Sequence, residues 1–200
     1  MIFTGDTIEK PRGAIYATRA QDKKFEFEPW GEFKVIGFLG REYFAGYSNL
    51  SSEAIVPVLY ERSDHSNLLG DQELSEVLID DDSESTIETD KPLVLKDGYE
   101  LGIKSVDEDG KKVFLELTRN GDAVDYEAIE PSIGTLNDET YCYKKDVGDT
   151  SDVVTIAVHF KDAFHSSGKD IATTDGIFQI SGDPKFLDSN EDYGRMRISS

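Results

Sequence analysis

A chain of 200 residues with 41 Asp+Glu against 21 Lys+Arg carries a formal charge of −20. Such a charge repels nucleic-acid backbones and anionic lipid, which disfavours nucleic-acid binding on electrostatic grounds and favours attraction of cations. A hydrophobic content of 38% and an aromatic content of 10% argue against disorder, and a chain this long buries roughly 70% of its unfolded surface as one large domain or two small ones.

In chain order, Met1-Ile2-Phe3-Thr4-Gly5-Asp6 lacks the basic segment and apolar core of a signal peptide. No run of about 18 apolar residues follows that could span a membrane. If the protein is exported, its export signal and anchor are expected outside this chain. Phe25 and Phe27 then alternate with Glu26 and Glu28, Pro29-Trp30-Gly31 breaks the run, and Phe33-Lys34-Val35-Ile36-Gly37-Phe38 resumes it before Tyr43-Phe44-Ala45-Gly46-Tyr47. This predicts aromatic strands with Trp30 and most of Phe33, Val35, Phe38 and Phe44 in the core. Asn49-Leu50-Ser51 is the only Asn-x-Ser/Thr triplet, which makes Asn49 the glycosylation candidate of an exported protein.

Residues 64–90 hold many carboxylates and no Lys or Arg, the composition of a solvated crossing. Gln72–Ile79 is expected to form a short helical turn. Beyond it, Tyr99, Leu101 and Ile103 alternate with Glu100, Gly102 and Lys104, and Val113, Leu115 and Leu117 alternate with Phe114, Glu116 and Thr118. With a turn at Asp107–Gly110 and another at Asn120-Gly121, followed by Val124-Asp125-Tyr126, this reads as a three-stranded meander. Val154, Ile156, Val158 and Phe160 mark a strand with one strongly apolar face, and Ile177–Ile180 marks another. Ser181-Gly182-Asp183-Pro184 interrupts the pattern. The expected architecture is all-β, with two linked β-sandwich-like modules: residues 1–73 plus 181–200 form the first, and 74–180 form a second inserted within it. Contiguous domains are the alternative.

Catalytic chemistry has no recognisable apparatus here. The histidines His65, His159 and His165 match no zinc motif, and they are expected to be exposed or partly packed. No serine sits in a nucleophile elbow, and no glycine motif cradles a phosphate. Cys142 is the only cysteine, so an intrachain disulfide is excluded and the thiol reads as a small strand residue. Asp80-Asp81-Asp82 and Asp107-Glu108-Asp109 offer hard oxygen ligands, but neither has the spacing of a calcium loop. Loose accumulation of divalent cations is the expectation, with no dedicated metal site, cofactor site or catalytic residue. Trp30, Tyr43, Phe44 and Tyr47 would form a sugar-stacking platform only if their rings face solvent.

The order of aromatic, glycine and aliphatic residues over Lys24–Tyr47 resembles the duplicated domain of archaeal surface-layer (S-layer) proteins, as in methanogens of the Methanosarcina type. Val77–Asp82, Leu95–Leu101 and Asp175–Ser181 resemble later landmarks of that domain, in the family's order. The resemblance implies a noncatalytic structural domain whose copies assemble laterally into a porous sheet at the cell surface. It makes other copies of the S-layer protein the expected partners, and no direct membrane insertion by this chain is expected. A secreted or surface-attached glycan- or protein-binding module is the alternative. No second copy of the Trp30–Phe38 motif is present, so the family's tandem duplication is not expected within this chain.

Overall fold

A computed structural model of the protein describes residues 19–48, 57–63, 69, 73–131, 134–165 and 168–187, together with the backbone of 192–193 and 196–197. The fold is all-β. The strands are β1 (Gln21–Lys24), β2 (Glu32–Phe38), β3 (Arg41–Tyr47), β4 (Glu73–Asp81), β5 (Ser85–Glu88), β6 (Leu93–Val94), β7 (Tyr99–Val106), β8 (Val113–Arg119), β9 (Asp122–Ile129), β10 (Thr140–Val147), β11 (Thr150–Phe164), β12 (Ile171–Ile180) and β13 (Lys185–Phe186). A short helix α1 (Val58–Arg62) follows β3, and a two-residue ribbon, β14 (Asp192–Tyr193) with β15 (Met196–Arg197), lies near the end.

A nine-stranded antiparallel sheet runs β1-β2-β3-β4-β12-β11-β10, with β13 paired to β4 and β5 paired to β12. Strand β4 bonds to β3 through Tyr43↔Glu76 and Phe44↔Ser75, and to β12 through Phe178↔Asp80 and Gln179↔Ile79. One sheet thus runs through residues on both sides of position 73/74. Of the helical turn expected over Gln72–Ile79, the described residues from Glu73 on belong instead to this strand. Its apolar residues Leu74, Val77 and Leu78 are spaced as on a helix, but the sheet supplies hydrogen-bond partners on both edges of β4, and that pairing overrides the local pattern.

The meander forms a second, four-stranded sheet in the order β6-β7-β8-β9. Its final hairpin turns at Asn120 (φ 54) and Gly121 (φ 90), the paired positive angles that match the twist of the flanking strands. Leu101, Ile103, Val113, Leu115 and Leu117 face inward against Ile156, Val158 and Phe160 of β11. The opposite side of β11 is also covered. Val154 and Ala157 join Phe25, Trp30, Phe33, Phe44, Tyr47 and Phe178 in a second core cluster. A bulge at Thr155, where Tyr143↔Ile156 is followed by Lys144↔Val154, moves Val154 to the other face from Ile156. Strand β11, expected to have one apolar face, is therefore buried on both, between the meander and the aromatic end of the large sheet.

Two buried polar side chains fasten these layers. The Gln179 side chain, 1% exposed, accepts from Lys96 N–H at 2.8 Å and donates to Lys96 C=O at 3.1 Å, so one amide matches both backbone groups of the loop that leads into β7. The Glu73 carboxylate accepts from Asp149 N–H at 2.8 Å in the β10–β11 turn. Gly148 sits beside it at φ 56, and a Cβ there would lie 1.9 Å from Glu73 Oε1. Glycine is required at this turn by both backbone angle and space.

Candidate functional site

The aromatic signature is a packing device. Pro29 and Trp30 close a single 3₁₀ turn over Glu28–Trp30, and Phe25 N–H bonds back to Gly31 C=O at 3.1 Å, so the arch folds its rings onto the sheet. Trp30 meets Phe25 and Phe27 edge-on at 5.8 and 4.9 Å, while its indole N–H donates to Thr140 Oγ1 at 3.3 Å. Tyr47 donates its hydroxyl to Val154 C=O at 2.6 Å. Trp30, Phe33, Val35 and Phe44 are buried as expected, while Phe38 is only partly so. Tyr43 and Tyr47 are also buried, so the Trp30, Tyr43, Phe44 and Tyr47 rings present no face on which a sugar can stack.

His159 departs from the expected exposed or partly packed histidine. It is 7% exposed, with Nδ1 at 2.5 Å from Asp175 Oδ1 and Nε2 at 3.4 Å from Glu139 Oε2. Phe27 stacks on its ring at 4.5 Å, an approach that Gly176 permits, since a Cβ there would lie 2.7 Å from Phe27 Cγ. The cluster ties the N-terminal arch to β10, β11 and β12. The two carboxylates stand 20 and 16 residues from the histidine, a separation with no periodic signal in sequence. Held between two carboxylates and capped by a phenyl ring, the imidazole cross-braces these elements. His165 binds Asp170 at 2.7 Å on a loop, and His65 lies outside the described residues. Cys142 is buried, and burial pushes its thiol up to about 12, which leaves it unreactive.

The acidic stretch 64–90 is not a solvated crossing where it is described, because β4 and β5 take up most of residues 73–88. Asp80 is nearly enclosed: its Oδ1 accepts from Glu26 N–H at 3.0 Å, and Lys23 Nζ lies 3.9 Å from its Oδ2. Burial holds the Asp80 carboxyl above its ordinary value. Asp81 turns to its own chain, accepting from Ser83 N–H at 2.9 Å. In the β7–β8 turn, Asp107 accepts from Lys111 N–H at 2.6 Å and Lys112 N–H at 3.0 Å, and so serves the hairpin. Among the described residues no group of three or more His, Cys, Asp or Glu side chains is placed to hold a metal ion. Asn49 lies outside the described residues.

What the described molecule offers the outside is a rigid sheet surface. The outward side of the meander presents Glu100, Gly102, Lys104, Phe114, Glu116, Thr118 and Tyr126, with Lys104 bonded to Glu116 at 3.1 Å. A shallow depression over Gly102 is bordered by Thr89, Pro92, Glu100, Lys104 and Glu116. No described helix is long and apolar enough to cross a membrane.

The described residues form an all-β scaffold that bears exposed apolar and ionic side chains on a flat sheet face. The chain belongs to the S-layer protein family, whose pattern it matches over residues 2–200. It is similar to the major S-layer protein of Methanosarcina mazei, 30% identical over 200 residues that cover 97% of this chain and 27% of that protein. The major S-layer proteins of Methanosarcina acetivorans and Methanosarcina barkeri are 29% and 28% identical, each over 92% of this chain and 25% of their own length. The chain thus spans about a quarter of the length of these relatives.

Proposed function

We propose that this chain is a noncatalytic structural domain of a cell-surface S-layer, whose copies pack side by side into a porous, negatively charged sheet. The observation that carries the reading is family membership over 2–200, in a chain whose His159, Glu73, Asp80 and Asp107 are bonded into the fold and whose Cys142 is buried. Strands buried on two faces give a body that holds its shape, as a sieve requires. A charge of −20 lines the openings with negative potential, which admits cations and repels anionic macromolecules. The same charge opposes association, so contacts form when copies are crowded or tethered and when salt shortens the repulsion to a Debye length of about 10 Å at 0.1 M. Divalent cations assist by bridging acidic rims.

The test is to tether the 200-residue chain to a lipid monolayer and image it while surface density, calcium and magnesium are varied. Two-dimensional order that appears with density or with cations is the expected outcome. Disorder at every density and cation level contradicts lateral assembly by this domain.

A further inference from the structure

Seven large hydrophobic side chains are exposed among the described residues: Leu39, Val94, Phe114, Val124, Tyr126, Phe164 and Phe186. Leu39, Phe164 and Phe186 stand on separate elements. Val94, Phe114, Val124 and Tyr126 all belong to the four-stranded meander; Val124 falls at a bulge between β8 and β9, and strand register sets the other three on one face. Gly102, Glu116 and Tyr126 lie side by side across β7, β8 and β9, as do Ser105, Phe114 and Ala128 one row along. Val94 pairs with outward-facing Glu100 at the other margin. The inward positions of the same strands, Leu101, Leu115 and Leu117, are in the core, so Val94, Phe114 and Tyr126 share the opposite side.

The charges on this face are mixed in sign, although the chain as a whole is strongly acidic: Lys104 stands among the outward carboxylates Glu100 and Glu116. Lys104 is bonded to Glu116, whose carboxylate also accepts the Tyr126 hydroxyl. Lys112 pairs with Glu130 at 2.9 Å at the rim. Of the β9 carboxylates, Asp125 is drawn to the Tyr141 hydroxyl at 2.8 Å and Glu127 to Arg62 at 3.1 Å, while Asp122 is exposed at the hairpin end of the strand. Two chains of charge −20 can approach only where their facing surfaces are close to neutral or are mixed in sign. This face meets that condition, because Lys104 together with Glu100 and Glu116 lets each copy present both signs to the other.

We infer that the outward face of the meander is a contact surface between copies, packing against the same face of a second copy of this chain. The inference rests on the lateral-assembly reading and names where one of its contacts falls. Strands about 4.8 Å apart and 3.3 Å per residue give a face of about 400 Å² per copy. The pair then buries less than the roughly 1,200 Å² of a stable complex, so the contact is weak alone and effective when copies are held together. Sheets meeting this way align within about 30°, with Phe114 and Tyr126 interdigitating at the centre.

The experiment is concentration-dependent sedimentation and amide NMR of the 200-residue chain up to about 1 mM, the range where weak contacts register. The expected result is reversible association with shifts confined to the outward rows of β7, β8 and β9. The double variant Phe114→Ser/Tyr126→Ser should lower the association constant at least tenfold with an unchanged urea midpoint, and Phe164→Ser on a separate element should leave it unchanged. The wild-type shift pattern decides the matter even if the double variant fails to fold. Association that ignores the double variant, or shifts located elsewhere, overturns this contact. So do shifts of these rows on adding a neutral polysaccharide without self-association. The lateral-assembly reading is judged separately: monolayer arrays as well ordered from the double variant as from wild type remove this contact but leave that reading intact.

Discussion

Replacing Trp30 by Ala tests whether the aromatic signature is the keystone of the N-terminal arch. The indole is 1% exposed, and truncating a buried tryptophan costs about 3–5 kcal/mol in lost transfer energy and residual cavity. Two edge-on contacts, with Phe25 and Phe27, place the change in the upper half of that range, since each such pair adds about 0.5–1.5 kcal/mol beyond burial. The lost indole bond adds little, because the Thr140 hydroxyl still donates to Leu136 C=O at 2.6 Å. We therefore expect about 4–5 kcal/mol, which for a chain of this size lowers Tm by roughly 10–15 °C. Trp30 is the only tryptophan, so urea unfolding must be followed by far-UV circular dichroism. A loss below about 1 kcal/mol with an unchanged m value would refute the packing argument. Unchanged stability with lost polysaccharide binding would favour the binding-module alternative.

Gln179→Ala should leave both backbone groups of Lys96 without their side-chain partner, at a cost of about 2–3 kcal/mol; faster hydrogen exchange at the start of the meander checks it. Two acids should respond to pH with opposite signs. Thr135 N–H and hydroxyl hold the Asp138 carboxyl below its ordinary value, so its stabilisation is present above about pH 4 and lost as pH falls through the lower folded value. Asp138→Ala should flatten that acid limb in urea midpoints measured against pH. Burial holds Asp80 above its ordinary value, so its ionised form opposes folding at neutral pH and protonation relieves the penalty on acidification. Asp80→Asn should therefore gain most over wild type near neutral pH and least in acid, and a uniform loss would contradict this sign. Asn49, if the protein is exported, should carry glycan, which mass spectrometry of the Asn49 peptide from native protein detects; consistently unmodified native peptide would remove it as an acceptor.

The meander was legible because its inward residues alternate along most of each strand and Asn120-Gly121 is a turn whose geometry follows from its chemistry. The burial of Trp30 and Phe33 was legible for a related reason, since rings at alternating positions cannot all face water. Strand β4 was not. Its helical spacing is local, whereas its partners Phe44 and Phe178 lie far away in sequence and supply the hydrogen bonds. His159 was misread because Glu139, Asp175 and Phe27 converge on it only once the large sheet has folded over β11. The Thr155 bulge left no mark in composition either, although it sends Val154 to one core and Ile156 to the other. Cross-layer bonds such as Gln179 to Lys96 have no periodic signal for the same reason: they join elements whose adjacency the tertiary fold creates.

The central claim is that the protein works as part of an ordered layer at the cell surface. The most direct measurement is cryo-electron tomography of native envelopes labelled with antibody against this chain. The account predicts label in a periodic array outside the membrane, at a spacing that matches the lattice seen without label. Label inside the cell, or scattered over the surface with no relation to a lattice, would contradict it.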